Sequence, residues 1–254
     1  MELSKNSLLL IGFQAVYEAI AAGKTIEKLW IKNDLASEHW KNLKPLLQEH
    51  QIRWQAVPIE KLNQLTRKAS HQGIVALISQ ITYVSFEDTI QNLLEAKKNP
   101  FIALLDGITD VRNVGAIART CLGLGVDLLV LPQQYAVTIT SDAIKTSSGA
   151  LLHLPIARVS HILDAVYYLK QTGIQVVAIS EKGKNQYFDQ SYTVPTAIIL
   201  GSEEKGISGR VLAESNLVVK IPMNHKIASL NVSVAAGIII AEISRQRITI
   251  QSEF

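Results

Sequence analysis

The sequence predicts an α/β protein in two units, a small mixed unit followed by a larger one built on a parallel sheet. Three observations predict it. From Phe101 onward, short and nearly continuous apolar runs recur (FIALLD, VDLLVLP, QVVAIS, TAIILG and LVVKIP), with helical segments between most of them. That is the pattern of parallel strands buried on both faces. Upstream, helical and extended segments also alternate, but the charge differs. Residues 1–82 hold ten Lys+Arg against seven Asp+Glu, whereas residues 83–254 hold fifteen of each. Between the two patterns lies VSFEDTIQNLLEAKKNP (84–100), polar, partly helical and ending in proline. It reads as a connector, which places the division at 1–82, a linker at 83–98 and the larger unit at 99–254.

Each element has its own signal. GFQAVYEAIAAG (12–23) has helical spacing and a terminal glycine, and IEKLWIK alternates as a strand. HWKNLKPLLQEH and IEKLNQLTR are helical, and IRWQAVP and GIVALIS are extended. In the larger unit, Gly123 and Gly125 lie where a helix should stop. Near the C-terminus, VSVAAGIIIAEI (232–243) reads as a final helix, preceded by Ser229 and Asn231, residue types that commonly cap a helix.

Composition excludes several classes. The chain has 254 residues, 48% of them apolar, enough for a substantial core in one large domain or two small ones. No apolar run reaches membrane-spanning length, and the N-terminus MELSKNSLLLIGF lacks a cleavage-site pattern, so it reads as mature cytoplasmic sequence. The single cysteine, Cys121, excludes an intramolecular disulfide and a cysteine-based zinc site; the six histidines show no metal-ligand spacing, so no metal is expected. No strand is followed by G-x-G-x-x-G and no P-loop lysine motif occurs, which disfavours a Rossmann-bound dinucleotide and ATP hydrolysis.

In a parallel α/β sheet, chemistry sits at the C-terminal ends of the strands. Three of those ends are unusual: FIALLD runs into GITDVRNVGAIART, TAIILG into SEEKGISG, and LVVKIP into MNHKIASLNVS. Gly, Asn and Ser in such turns leave backbone groups free and let a ligand come close.

These residues carry a resemblance. NVGAIART (113–120), KTSSGAL (145–151), LGSEEKG (200–206), and IPM followed by SLNVSVAAG (221–237) resemble, in order and spacing, the motifs of SpoU-class (TrmH-like, SPOUT) RNA 2′-O-ribose methyltransferases. The likeness covers nearly the whole chain; residues 1–82, with HQGIVA (71–76), resemble the L30e-like domain of the RlmB-type 23S rRNA enzymes. The resemblance implies a deep trefoil knot in the larger unit, S-adenosyl-L-methionine as cofactor, a homodimer, and an RNA substrate, foremost a guanosine of 23S rRNA. A tRNA ribose, or a noncatalytic ribosome-assembly role on the same fold, is the alternative.

Carried over residue by residue, Arg119 matches the family's arginine. A guanidinium stays protonated at ordinary pH, so a phosphate clamp that positions the 2′-hydroxyl is its easier role, the base being water or the phosphate itself. Asn113 matches the first-motif asparagine and reads equally as a helix N-cap. Glu203 matches the second-motif acid, expected to orient Arg119 or neighbouring backbone, and reads otherwise as a solvated turn acid. Ser229 and Asn231 match the third motif and are expected to face methyl transfer. Gly201, Ile221 and Leu230, with Leu200 and Met223, are expected to hold the cofactor. One position departs from the pattern: His225 stands where the family usually has glycine.

Overall fold

Two layers of regularity organise the chain, and each follows from where apolar side chains fall. In the computed structural model, residues 9–35, 38–96, 99–133, 139, 141–224, 226 and 229–251 are described; His225 lies outside them. The chain divides into two compact units, one up to Thr82 and the other from Tyr83 to Val137 and from Asp142 on.

The first unit runs β1 (Leu9–Ile11), α1 (Phe13–Ala21), β2 (Ile26–Lys32), α2 (Glu38–Glu49), β3 (Gln55–Val57), α3 (Ile59–Thr66) and β4 (Ile74–Ile78). Its sheet has the order β1-β4-β2-β3; β4 is antiparallel to both neighbours and β2 is parallel to β3. The period of two along the strands separates two cores. Leu29, Ile31, Ile74 and Ala76 face α1 and α2, packing with Val16, Ile20, Leu43 and Leu47. Trp30, Val75 and Leu77 face the other way, packing with Val57 and Leu62.

The second unit begins with α4 (Phe86–Glu95), then β5 (Phe101–Asp106), α5 (Val111–Gly123), β6 (Leu128–Pro132), α6 (Ser141–Thr146), β7 (Ile156–Val159), α7 (Ile162–Gln171), β8 (Gln175–Ile179), β9 (Asn185–Gln186), β10 (Thr196–Gly201), α8 (Gly209–Glu214), β11 (Leu217–Lys220) and α9 (Val232–Gln251). Every strand pairing is parallel, in the order β7-β6-β5-β10-β8-β11-β9. The central strands are buried along their length, as their unbroken apolar runs require.

Residues 83–98, read from their polarity as a linker, contribute structure to this unit. Ser85 caps α4 by accepting the Asp88 N–H, Phe86 and Ile90 are buried in the core with Ile102, Leu104 and Val166, and the Val84 N–H donates to the Ile156 carbonyl. The helix is strongly amphipathic, so its polar outer face dominates the composition while a narrow inner stripe packs.

Connectivity positions the site. The chain moves outward from β5 to β6 and β7, crosses to β8, and returns to lay β10 between β5 and β8. The C-terminal ends of β5, β8, β10 and β11 therefore converge, and α9, which follows β11, packs against α5.

Candidate active site at the converging strand ends

The turn after β10 is set by a glycine. A Cβ on Gly201 would lie 2.3 Å from backbone atoms of Gly206 and Ile207, so only glycine lets the SEEKG loop fold back on the strand end. The loop is closed by the Gly206 N–H donating to the Ser202 carbonyl, at 2.9 Å, and by the Lys205 N–H donating to Ser202 Oγ, at 3.1 Å. It is tied to the neighbouring strand by the Ser208 N–H donating to the Asp106 carboxylate, at 2.9 Å.

Helix α5 begins at Val111 with Asp110 as its N-cap, whose Oδ1 accepts the Arg112 N–H at 2.8 Å. Asn113 is therefore not the cap; it lies inside the first turn, only 8% exposed. Its Nδ2 donates to Glu203 Oε1 at 3.1 Å, and its Oδ1 accepts from Asn231 Nδ2 at 3.0 Å. Asn231 Nδ2 also donates to Glu203 Oε1 at 2.7 Å. On its other side, Asn231 Oδ1 accepts the Ser233 N–H at 2.9 Å, which caps α9. One asparagine thus both starts the last helix and closes a three-residue polar network with Asn113 and Glu203, residues 118 and 28 positions away.

Beside this network opens a cavity of about 450 Å³, within the range of small-molecule sites. Its wall is apolar along Ile179, Leu200, Ile221, Leu230, Val232 and Ala235, and Gly201, Met223 and Ser229 also line it. Charged groups sit around it: Glu181, Glu203 and Glu204 against Lys182 and Lys205. All five residues named from the sequence as cofactor contacts line this one cavity, together with Glu203 and Ser229.

Arg119 is not brought into the network. It stands six residues beyond Asn113 on α5, about 9 Å further along the axis and on a different face, exposed, with no hydrogen bond or ion pair to the described residues. Glu203 consequently orients the two asparagines, not Arg119. Ser229 makes no capping bond among the described residues; Asn231 does that work.

The KTSSGAL motif is structural. Ser147 is fully buried, donating to the Ile144 carbonyl at 2.8 Å and accepting the Leu151 N–H at 3.3 Å. Thr146 meets Gly115 of α5 so closely that a Cβ on Gly115 would lie 2.9 Å from Thr146 Cβ. The two motifs are thus the two sides of one helix contact. Sequence reasoning missed the turn after β8, whose Ser180, Glu181 and Lys182 form a wall of the cavity. The signal was available: QVVAIS is followed by EKGK at a strand end like the other three. Gly183 in that turn, whose Cβ would lie 2.6 Å from the Val219 carbonyl carbon, locks it against β11.

A parallel sheet with four strand ends around an apolar, charge-rimmed cavity, and a polar network anchored on the buried Asn113, define a small-molecule-binding α/β enzyme unit, preceded by a separate mixed α/β unit. The SpoU rRNA methylase family model matches residues 100–241, and the RNA 2′-O ribose methyltransferase substrate-binding model matches residues 9–84. The chain belongs to the SpoU rRNA methylase family. It is 34% identical over 242 residues to a TrmH family tRNA/rRNA methyltransferase of Staphylococcus haemolyticus, covering 95% of this chain and 97% of the relative. It is 32% identical to YacO of Bacillus subtilis, of the same description, over 96% and 98%. Among solved structures it is similar to the SpoU methyltransferase AviRb of Streptomyces viridochromogenes in complex with AdoMet, with TM-score 0.59, 25% identity and coverage of 95% and 90%.

Proposed function

We propose that this protein transfers a methyl group from S-adenosylmethionine to a ribose 2′-hydroxyl of RNA, with a guanosine of 23S rRNA as its target, acting as a cytoplasmic homodimer. The observation that carries the reading is the junction of the cavity with the Asn113–Glu203–Asn231 network: a site for a small ligand beside fixed, mutually oriented polar groups.

The residues present suit the cofactor. Ile179, Leu200, Ile221 and Leu230 offer an apolar slot for an adenine, Glu181, Glu203 and Glu204 supply negative charge for the sulfonium and the α-ammonium of the amino acid tail, and Lys182 and Lys205 supply positive charge for its carboxylate. S-adenosylmethionine, when bound, supplies an electrophilic methyl group. The protein's own residues do the rest. Glu203 holds Asn113 and Asn231 in one arrangement, so their amides are fixed before substrate arrives and cost no reordering. Arg119, exposed and without a partner among the described residues, is free to clamp an RNA phosphate and hold the ribose at the network.

The dimer reading rests on α9. Val234, Ile238 and Ala241 recur at spacings of four and three, and Ile248 follows two turns on; Val234 is 51% and Ile248 63% exposed, and Cβ space at Gly237 is open. An apolar stripe left uncovered on a helix otherwise in the core suits a second copy. The threading of the C-terminal segment through a knot belongs to the same proposal, supported by β10 lying between β5 and β8.

The test is to map 2′-O-methyl groups in ribosomal and transfer RNA from cells with and without the gene. The proposal expects one guanosine of 23S rRNA to lose its methyl group. Loss at a tRNA position instead would reassign the substrate, and an unchanged map would overturn the activity.

A further inference from the structure

The first unit carries a groove that the methyl-transfer reading does not use. It is lined by Ile31, Lys32, Asp34, Leu35, Trp40, Trp54 and Ala56, between the end of β2, the start of α2 and the edge strand β3, and encloses about 460 Å³. The three tryptophans of the chain all lie in this unit, but they do different things. Trp30 is core, 7% exposed between β3 and α3. Trp40 packs partly against the opposite core. Trp54 is 40% exposed and is held at a fixed angle by Trp40, with ring centroids 5.3 Å apart and planes at 74°. An indole kept half in solvent by another indole contributes little to the core; it is a rigid π surface. Lys32 supplies a cation on the wall, and Lys41 and Lys44 stand exposed on α2 next to Trp40. Asp34 puts a carboxylate at the same groove, which repels a phosphate from its interior and leaves the backbone to the lysine side.

We propose that this groove binds an unpaired nucleobase of the RNA substrate, stacked on Trp54 with the adjoining phosphate drawn to Lys32. The inference rests on the RNA reading above and narrows it, because a duplex keeps its base faces stacked and cannot enter, whereas a looped-out or single-stranded base can.

The experiment uses the full-length protein and a short single-stranded RNA, with a blunt duplex of the same strand length as comparison. Labelled-RNA anisotropy gives affinity, and tryptophan fluorescence reports on this unit alone. The single strand should quench the fluorescence and the duplex should not. Trp54→Ala should weaken single-strand binding roughly tenfold or more and remove most of the quenching, while Trp54→Phe, which keeps an aromatic face, should retain the affinity. Lys32→Ala should lower affinity and flatten its dependence on salt. Equal affinity for wild type and Trp54→Ala, with RNA still bound, would overturn the stacking site and leave the RNA reading intact. Equal quenching by the duplex would overturn it also. A change in mass by light scattering on Trp54→Ala, without a change in RNA affinity, would show the groove to be a protein interface. No binding of either RNA by the wild type would sink both readings.

Discussion

Asn231 is the residue on which helix and site depend together. Asn231→Ala removes the α9 cap, costing about 1 kcal/mol, and takes away its bonds to Asn113 and Glu203, which keep only the bond between themselves; both melting temperature and methyl transfer should fall. Asn231→Asp separates the two roles. Its carboxylate still accepts the Ser233 N–H, so the melting temperature should hold, but it faces Glu203 as a like charge, so transfer should still collapse. A stable, active Asn231→Asp protein would contradict the network's role. Leu230→Asp, which puts an unpaired charge on the apolar wall, should abolish cofactor binding by calorimetry. At this scale the sequence was legible where a residue type has few uses. Asn231 ahead of an apolar run signals a cap, and Gly201 after a buried strand signals close backbone approach. It was not legible for Asn113, because Asp110 and Asn113 are both good caps and only the backbone turn at Val111 chooses between them. Nor could it show that Glu203 serves two asparagines and not Arg119, since that depends on which face of α5 turns inward.

Between elements, the α5–α6 contact gives a test of packing alone. Gly115→Ala drives a methyl group into Thr146 and the Ala143 carbonyl, with Cβ distances of 2.9 and 3.0 Å. Overpacking of this kind costs typically 1–3 kcal/mol. Thr146→Ser, which removes the γ-methyl group 3.1 Å from that Cβ and so loosens the Thr146 side of the contact, should recover part of the loss in denaturant unfolding, and purely additive effects would contradict the contact. A second element-scale probe is Cys121, fully buried on α5, whose thiol is pushed up to about 12 by loss of solvation. The raised value keeps it a neutral thiol throughout the physiological range and up to that pH. It should resist alkylation at pH 8 in the native protein and react only when α5 detaches from the sheet. Five of the seven strands of the larger sheet were legible as short apolar runs, but β7, IARV, and β9, NQ, were not, because a charge interrupts one and the other has no apolar residue; α4 was misread as linker because its inner stripe is only Phe86, Ile90 and partly buried Leu94 among polar neighbours.

For the whole molecule, α4 moves the boundary for separating the units. A fragment of residues 83–254 keeps Phe86 and Ile90 in their core, whereas 99–254 exposes the surface they cover, at about 1.5–3 kcal/mol for each side chain. The longer fragment should fold and bind S-adenosylmethionine, with RNA affinity well below that of the full chain; the shorter should melt lower. If both fragments melt alike, α4 is not part of the core. The family was legible from four short motifs: three follow strand ends that the fold brings together, and the fourth, KTSSGAL, packs against the helix of the first. The relation of those ends was not, because β10 pairs with a strand almost a hundred residues earlier and no local pattern encodes that register. The central claim is that the converging strand ends methylate a ribose hydroxyl of RNA. It is tested most directly by incubating the purified protein with RNA and S-adenosylmethionine labelled in its methyl group, then hydrolysing the RNA with alkali. A 2′-O-methyl group blocks cleavage of its own phosphodiester, so the account predicts label in alkali-resistant dinucleotides, lost in Arg119→Ala; label in mononucleotides, or none transferred, would contradict it.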